Sequence, residues 1–224
     1  PARGGSKRLP YKNLMKLGGK PLLAWSIQAA LQCPGIARVA VDTDSPKIAA
    51  AAKKYGAEVL FLRPARLAGD KATSMDALRH FMARYDGRGE KFDAVAFLQP
   101  TSPLRNSGHI AQALQIFNQK KSSAVVSVTQ ASHPPHWTNH LPASLSLKDF
   151  LKNPRPAENK KFYTLNGAIY IAGWKYLLKN GSWFSKRSFA YIMDRAHSVD
   201  IDTIEDLWVA ETFLYQLKKE FYGN

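Results

Sequence analysis

The chain has 224 residues, 45 % of them hydrophobic, and carries 32 Lys and Arg against 17 Asp and Glu, a formal net charge of +15. That length suits one large domain with a substantial core, and no apolar run reaches the ~20 residues needed to span a bilayer. The single cysteine, Cys33, excludes an intrachain disulfide and fits a reducing, cytoplasmic setting.

The charge admits a polyanion such as nucleic acid, or small anionic substrates. Lys and Arg are spread along the whole chain rather than gathered on one helix, and no helix-turn-helix, RNA-recognition or zinc-finger spacing is present. Small anions are therefore favoured.

The first thirteen residues point the same way. Gly4 and Gly5 let the backbone approach a ligand closely, and successive N–H groups in such a turn make an anion-binding concavity. Arg3, Lys7, Arg8 and Lys12 add full charges. A frayed basic tail is the plainer reading, but Leu9, Leu14 and Leu17 are interleaved with the glycines and prolines. The motif opens abruptly, so a buried strand is expected to precede Pro1.

Helical apolar spacing follows over Pro21–Gln32, then a β-rich run, Ala37–Val41, ending in the loop Asp42–Asp44. Pro46–Tyr55 reads as helix, Glu58–Leu62 as strand, Ser74–Tyr85 as helix with its cap at Thr73 or Ser74. Ala94–Leu98 is a continuous apolar strand stopping at Gln99 and Pro100. Helix Gly108–Gln119 and strand Ser123–Val128 complete the alternation. Strands separated by helices imply a mostly parallel, Rossmann-like α/β sheet, whose ligands sit beyond the carboxyl ends of the strands. That places Asp42–Asp44, Gln99–Ser102 and the opening loop on one rim.

From Ala131 to Thr164 periodicity breaks, as in a lid or an arm that packs on another subunit. The aromatic stretch Trp174–Tyr191 extends the expected excursion to residues 131–190 of a single 1–224 domain. Regularity returns at Asn166–Ile171, and Thr203–Phe221 is an amphipathic helix. Asp200 and Asp202 lie two apart, so on an extended segment their side chains face the same way. They suit a hard divalent cation; the alternative reading makes Asp202 a cap of the final helix.

Read together, Arg3–Asn13, Leu17–Leu23, Leu98–Arg105 with His109 and Ile110, Asn166–Ile171, and Ser198–Thr203 with Asp206 and Leu207 resemble the acylneuraminate cytidylyltransferases. The resemblance spans essentially the whole chain. It implies a nucleotide-diphospho-sugar-transferase-type fold with a small dimerisation arm, and a homodimer. It implies transfer of CMP from CTP to a nonulosonic acid (sialic, legionaminic or pseudaminic), releasing pyrophosphate, with Mg²⁺ on Asp200 and Asp202 and neither nucleic acid nor membrane as partner. By the same resemblance Arg3, Lys7, Lys12 and Asp202 are catalytic. Arg3, Gly4, Gly5, Ser6, Lys7, Lys12 and Asn13 hold the nucleotide, with Arg63 and Ser74 at the cytosine. Gln99, Thr101, Ser102, Arg155 and Asn166 meet the sugar acid.

Two departures stand out. Asp42 occupies a position where the family usually has Ser, and an extra anion beside a phosphate site needs a cation. The Arg-Gln-Asp/Glu-Leu-Pro motif that most relatives carry before Asn166 is replaced by Asn153–Leu165, leaving Arg155, Lys160 or Lys161 for the sugar carboxylate. The readings kept beside this one are a CMP-Kdo synthetase, against which Lys12, Asn13 and Asn166–Tyr170 argue, a basic nucleic-acid-binding protein, and an inactive dimeric scaffold of the same fold.

Overall fold

A computed structural model describes residues 1–5, 9–69, 72–140, 143–148 and 161–222. Four strands, β3 (Ala94–Phe97), β4 (Ala124–Gln130), β5 (Tyr163–Gly173) and β6 (Ser188–Met193), form the main sheet in the order β3-β5-β4-β6, after a short hairpin, β1 (Lys16–Leu17) and β2 (Lys20–Pro21). β5 is antiparallel to both β3 and β4, while β4 and β6 are parallel. Three of the four strands thus point the same way, with β5 reversed among them.

Helices cover both faces. On one, α1 (Leu22–Leu31) with Cys33 just beyond it, and α4 (Ser107–Gln119), bury Ala29, Cys33, Ile110 and Ala113 against Val125, Ile169 and Ile171. On the other, α3 (Ser74–Asp86) and α5 (Trp174–Asn180) bury Leu78, Met82, Trp174 and Leu177 against Phe97 and Ala172. α2 (Pro46–Lys54) packs Ile48 and Ala52 on Leu23 and Ile27 of α1, and α6 (Ile204–Tyr222) packs Leu207 and Ala210 on Leu17 and Leu22. The helix starts obey local chemistry: Ser45 accepts from the Ile48 N–H ahead of Pro46, and α3 and α4 carry reciprocal capping boxes, Thr73 with Asp76 and Asn106 with His109.

Two expectations change. The runs Ala37–Val41 and Glu58–Leu62 pair in parallel, but only through the bridges Ala40–Glu58 and Thr43–Leu62. The second concerns residues 131–190. β5, α5 and the first part of β6 lie inside that range yet build the sheet and its cover; Trp174, expected in an exchanged arm, is a buried core residue. The ladder of β4 and β5 ends at exposed residues, where Gln130 pairs with Tyr163 and the Ala131 N–H donates to the Phe162 carbonyl.

Candidate active site

The opening loop is pinned from both sides. The Ala2 N–H donates to the Asp42 carbonyl at 2.9 Å, and the Gly4 N–H to Asp44 Oδ1 at 2.8 Å. A Cβ on Gly4 would sit 3.0 Å from Ser45 Cβ, so a side chain there would press on Ser45. Buried Asn13 donates its Nδ2 to the Arg3 carbonyl at 3.0 Å. Its amide holds the loop from beneath, while the Arg3 side chain and Gly5 face outward. Ser6, Lys7 and Arg8 lie outside the described residues.

Lys12 joins this loop to the other end of the chain. Its Nζ is 2.9 Å from Asp202 Oδ1; the lysine side chain is 13 % exposed and the aspartate 45 %. Asp200 and Asp202 flank Ile201, which is fully buried and whose N–H donates to the Thr101 carbonyl at 2.8 Å. Alternation about that anchor turns both carboxylates to the open side. The helix cap is filled by another residue: Asp206 Oδ2 accepts the N–H groups of Asp202 and Thr203 at 2.9 and 2.8 Å, and Thr203 returns a hydroxyl contact. Asp202 therefore keeps its carboxylate for the cleft. Desolvation raises the Asp200 carboxyl above its ordinary value, and the charge of Asp202 adds to the rise; a bond from the Thr101 hydroxyl and the charge of Lys12 oppose it. Two carboxylates repelling each other beside a basic loop are a donor set that a hard divalent cation fits.

The third wall is a bulge in β5. The β4–β5 register shifts between Val126 and Val128, and Gly167 takes φ +73°. A Cβ at Gly167 would sit 3.5 Å from Gln99 Nε2, 3.5 Å from Ser102 Oγ and 3.7 Å from Asp200 Oδ2. Gln99 and Asp200 thus meet over a bare patch of backbone. Beneath it lies Arg105, 1 % exposed, donating to the carbonyls of Ala168 and Gln99 at 3.0 Å each and to Ser26 Oγ at 2.8 Å. Burial pushes its pKa down to about 9, so it remains charged at neutral pH, held by carbonyl and hydroxyl oxygens.

A family model described as cytidylyltransferase matches residues 1–222. The chain belongs to the cytidylyltransferase family.

It is 40 % identical over 215 residues to an N-acylneuraminate cytidylyltransferase of Escherichia coli O18:K1:H7, covering 95 % of this chain and 50 % of the relative; the chain spans about half the length of that protein. It is 37 % identical over 224 residues to a CMP-N,N'-diacetyllegionaminic acid synthase of Legionella pneumophila, covering 98 % and 96 % of the two chains. A pseudaminic acid cytidylyltransferase of Campylobacter jejuni is 32 % identical over 223 residues, with the same coverage. Among solved structures, a CMP:2-keto-3-deoxy-manno-octonic acid synthetase complexed with CTP superposes with a TM-score of 0.73 at 21 % identity over 97 % of each chain, a likeness of fold.

Within this cytidylyltransferase frame several expected site residues do other work. Arg63, expected at the cytosine, is 8 % exposed and wrapped around Asp42: Nε to Oδ2 at 2.9 Å, Nη2 to the Asp42 carbonyl at 2.9 Å and to Oδ2 at 2.7 Å. It is the cation that the unusual Asp42 requires. Asn166, expected at the sugar acid, is 4 % exposed with both ends of its amide engaged. Its Oδ1 accepts from Ser127 Oγ and the Ala168 N–H; its Nδ2 donates to Ser198 Oγ. It fixes the bulge and does not face the cleft. Ser102 is likewise buried, donating to the Asn166 carbonyl. Ser74 is exposed on the first turn of α3, where Thr73 takes the cap. Gln99 and Thr101 stay at the cleft. Arg155 and Lys160 lie outside the described residues, and Lys161 is exposed.

The organising part of Arg105 was not read from the sequence, although a cation in the proline-punctuated turn between an apolar strand and a helix signals a buried tether. One further cluster, His109, Asp194 and His197, brings possible metal ligands together. His109 Nδ1 accepts the Asn106 N–H at 3.2 Å, which leaves the ring proton on Nε2 and no lone pair there for a metal. Desolvation first, then the neighbouring His197, pushes its pKa down to about 4, so the ring is neutral.

Proposed function

We propose that this chain is a CTP-dependent nucleotidyltransferase that activates a nonulosonic acid, giving the CMP-sugar and pyrophosphate. The observation that carries the reading is the Lys12–Asp202 contact, which brings the glycine loop and the acidic pair into one cleft across 190 residues of sequence. In this scheme the triphosphate lies along the opening loop, neutralised by Arg3, Lys7 and Lys12. The sugar hydroxyl attacks the α-phosphorus; a P–O bond to the sugar forms as the bond to the β-phosphate breaks. Gln99 and Thr101 bound the side from which the sugar approaches, and Arg155 or a neighbouring lysine is the proposed partner of its carboxylate. Asp200 and Asp202 would hold Mg²⁺, which when bound neutralises phosphate charge and acidifies the attacking hydroxyl.

The test is pyrophosphate release from purified protein with CTP, Mg²⁺ and sialic, legionaminic or pseudaminic acid in parallel, with Kdo as control. At least one of the three should be turned over faster than Kdo; no release with any of them overturns the proposal. A homodimer belongs to the same reading, supported by Tyr163, Leu165, Phe184 and Ile192, which are 44–60 % exposed at the first residues of β5, on the edge strand β6 and in the loop between α5 and β6. Light scattering should give twice the chain mass at micromolar concentration, and a monomer there removes the dimer. Among the described residues no helix is long and apolar enough to cross a membrane.

A further inference from the structure

Asp200 hangs between two tethers. On one side Ile201 is fully buried, and its N–H donates to the Thr101 carbonyl at 2.8 Å. On the other the chain is tied at Ser198, whose hydroxyl donates to the Asp194 carbonyl at 2.6 Å and accepts from Asn166 Nδ2 at 2.9 Å. Asn166 stands next to Gly167, where a Cβ would lie 3.7 Å from Asp200 Oδ2. One hydroxyl therefore joins the end of β6, the bulge of β5 and the segment that carries the acidic pair.

Ser198 can hold these parts together only if the turn that presents it is fixed. The turn leaves β6 at Asp194 and closes as a short 3₁₀ segment, Ala196–Ser198. Segments of that length have few internal bonds of poor geometry. Here the Asp194 carboxylate supplies two more: Oδ1 accepts the His197 N–H at 3.0 Å, and the ring Nδ1 of His197 donates to Oδ2 at 2.8 Å.

The opposite side of His197 is also held. Its side chain is 15 % exposed, against 56 % for Asp194, and its ring meets that of His109 edge to face with centroids 4.5 Å apart. His109 is locked to Asn106 at the start of α4 by two reciprocal bonds, its Nδ1 accepting the Asn106 N–H and its own N–H donating to Asn106 Oδ1. Asn106 follows Arg105, which holds the Gln99 carbonyl at 3.0 Å. The His197 imidazole thus sits between a carboxylate of its own turn and a neutral ring anchored to the wall of the cleft. An apolar side chain could fill the space, but it could not bond Asp194.

We infer that His197 is a positioning residue: through Asp194 and Ser198 it sets where Asp200 presents its carboxylate, and so the spacing of the Asp200–Asp202 pair. The inference rests on the proposed role of that pair in holding a divalent cation. Groups that orient a metal-binding side chain without touching the metal change its affinity by about 10–100-fold.

The test is binding of Mn²⁺ alone, read by water-proton relaxation with no nucleotide or sugar acid present. The parent should bind, and Asp202→Asn should bind more weakly. His197→Ala and Ser198→Ala should each weaken Mn²⁺ by roughly 10-fold. His197→Asn keeps a donor near the place of Nδ1 and should recover most of that loss. Ile48→Val, which trims a fully buried side chain of α2, should lower Tm without moving Mn²⁺ affinity, so a general loss of stability is told apart from mispositioning. Parent-like affinity in both His197→Ala and Ser198→Ala, beside a weakened Asp202→Asn, would overturn the positioning role and leave the proposed reaction standing. A His197→Asn protein as weak as His197→Ala would overturn it too, since the bond to Asp194 would then not matter. A parent that binds no Mn²⁺ would overturn the acidic pair as a metal site, and this inference with it.

Discussion

If the proposed reaction is right, Asp202→Asn should lower CMP-sugar formation by about 10²–10³-fold, the scale of losing one charged group that acts on the transferring phosphate, and leave the fold intact. Asp202 is half-exposed, and it pairs with Lys12 at the cleft. Pairs of that exposure contribute about 0–1 kcal/mol, so a stability loss cannot account for the rate. Asp200→Asn should behave alike, since it removes the other carboxylate of the same donor set. The control is Asp206, which lies in the same turn but spends its carboxylate on the N–H groups of Asp202 and Thr203. Asp206→Asn keeps one acceptor oxygen on those N–H groups, so it should lower stability by at most about 1 kcal/mol, with a much smaller effect on turnover. Single-turnover rates and thermal melts of the three variants decide the matter. An Asp202→Asn enzyme working at the parent rate, or a rate loss matched by Asp206→Asn, would remove the assigned role.

The alternation of strand and helix was legible because it rests on local chemistry. Pro46 behind a Ser cap, and Thr73 and Asn106 each three residues before a side chain that returns the bond, mark helix starts that the structure keeps. The rim was legible too, because carboxyl ends of parallel strands gather their loops together. What sequence could not show is which polar groups the fold consumes internally. Arg63, Asn166 and Ser102 are chemically suited to a ligand, and all three are turned inward. Their partners, Asp42, Ser127 and the Asn166 carbonyl, lie 21 to 64 residues away. Such pairings are products of register and of the β5 bulge, which no local spacing announces. For Asp200, Asp202 and Asp206 the sequence offered a capping role and a metal role without saying which residue took which. The structure divides them, because a single carboxylate, that of Asp206, reaches both N–H groups.

Arg63→Met produces the largest stability loss expected at a residue first assigned to the nucleotide. The substitution keeps much of the side-chain volume but leaves Asp42, 7 % exposed, without the guanidinium that neutralises it. Breaking a buried pair from one side costs about 3–5 kcal/mol, which in a chain of this size is a fall in Tm of very roughly 10 °C. Asp42→Ser with Arg63→Met should recover most of that loss, because neither member of the pair then remains as a buried charge without its partner. The coupling energy from the four-protein cycle should therefore be large and favourable to the native pair. CTP affinity separates this account from the one in which Arg63 reads the base. If the guanidinium serves Asp42, the double variant binds CTP nearly as the parent does, since the Asp42 carbonyl can still accept the Ala2 N–H and hold the opening loop. If it reads the base, both variants lose CTP affinity equally and the second substitution restores nothing.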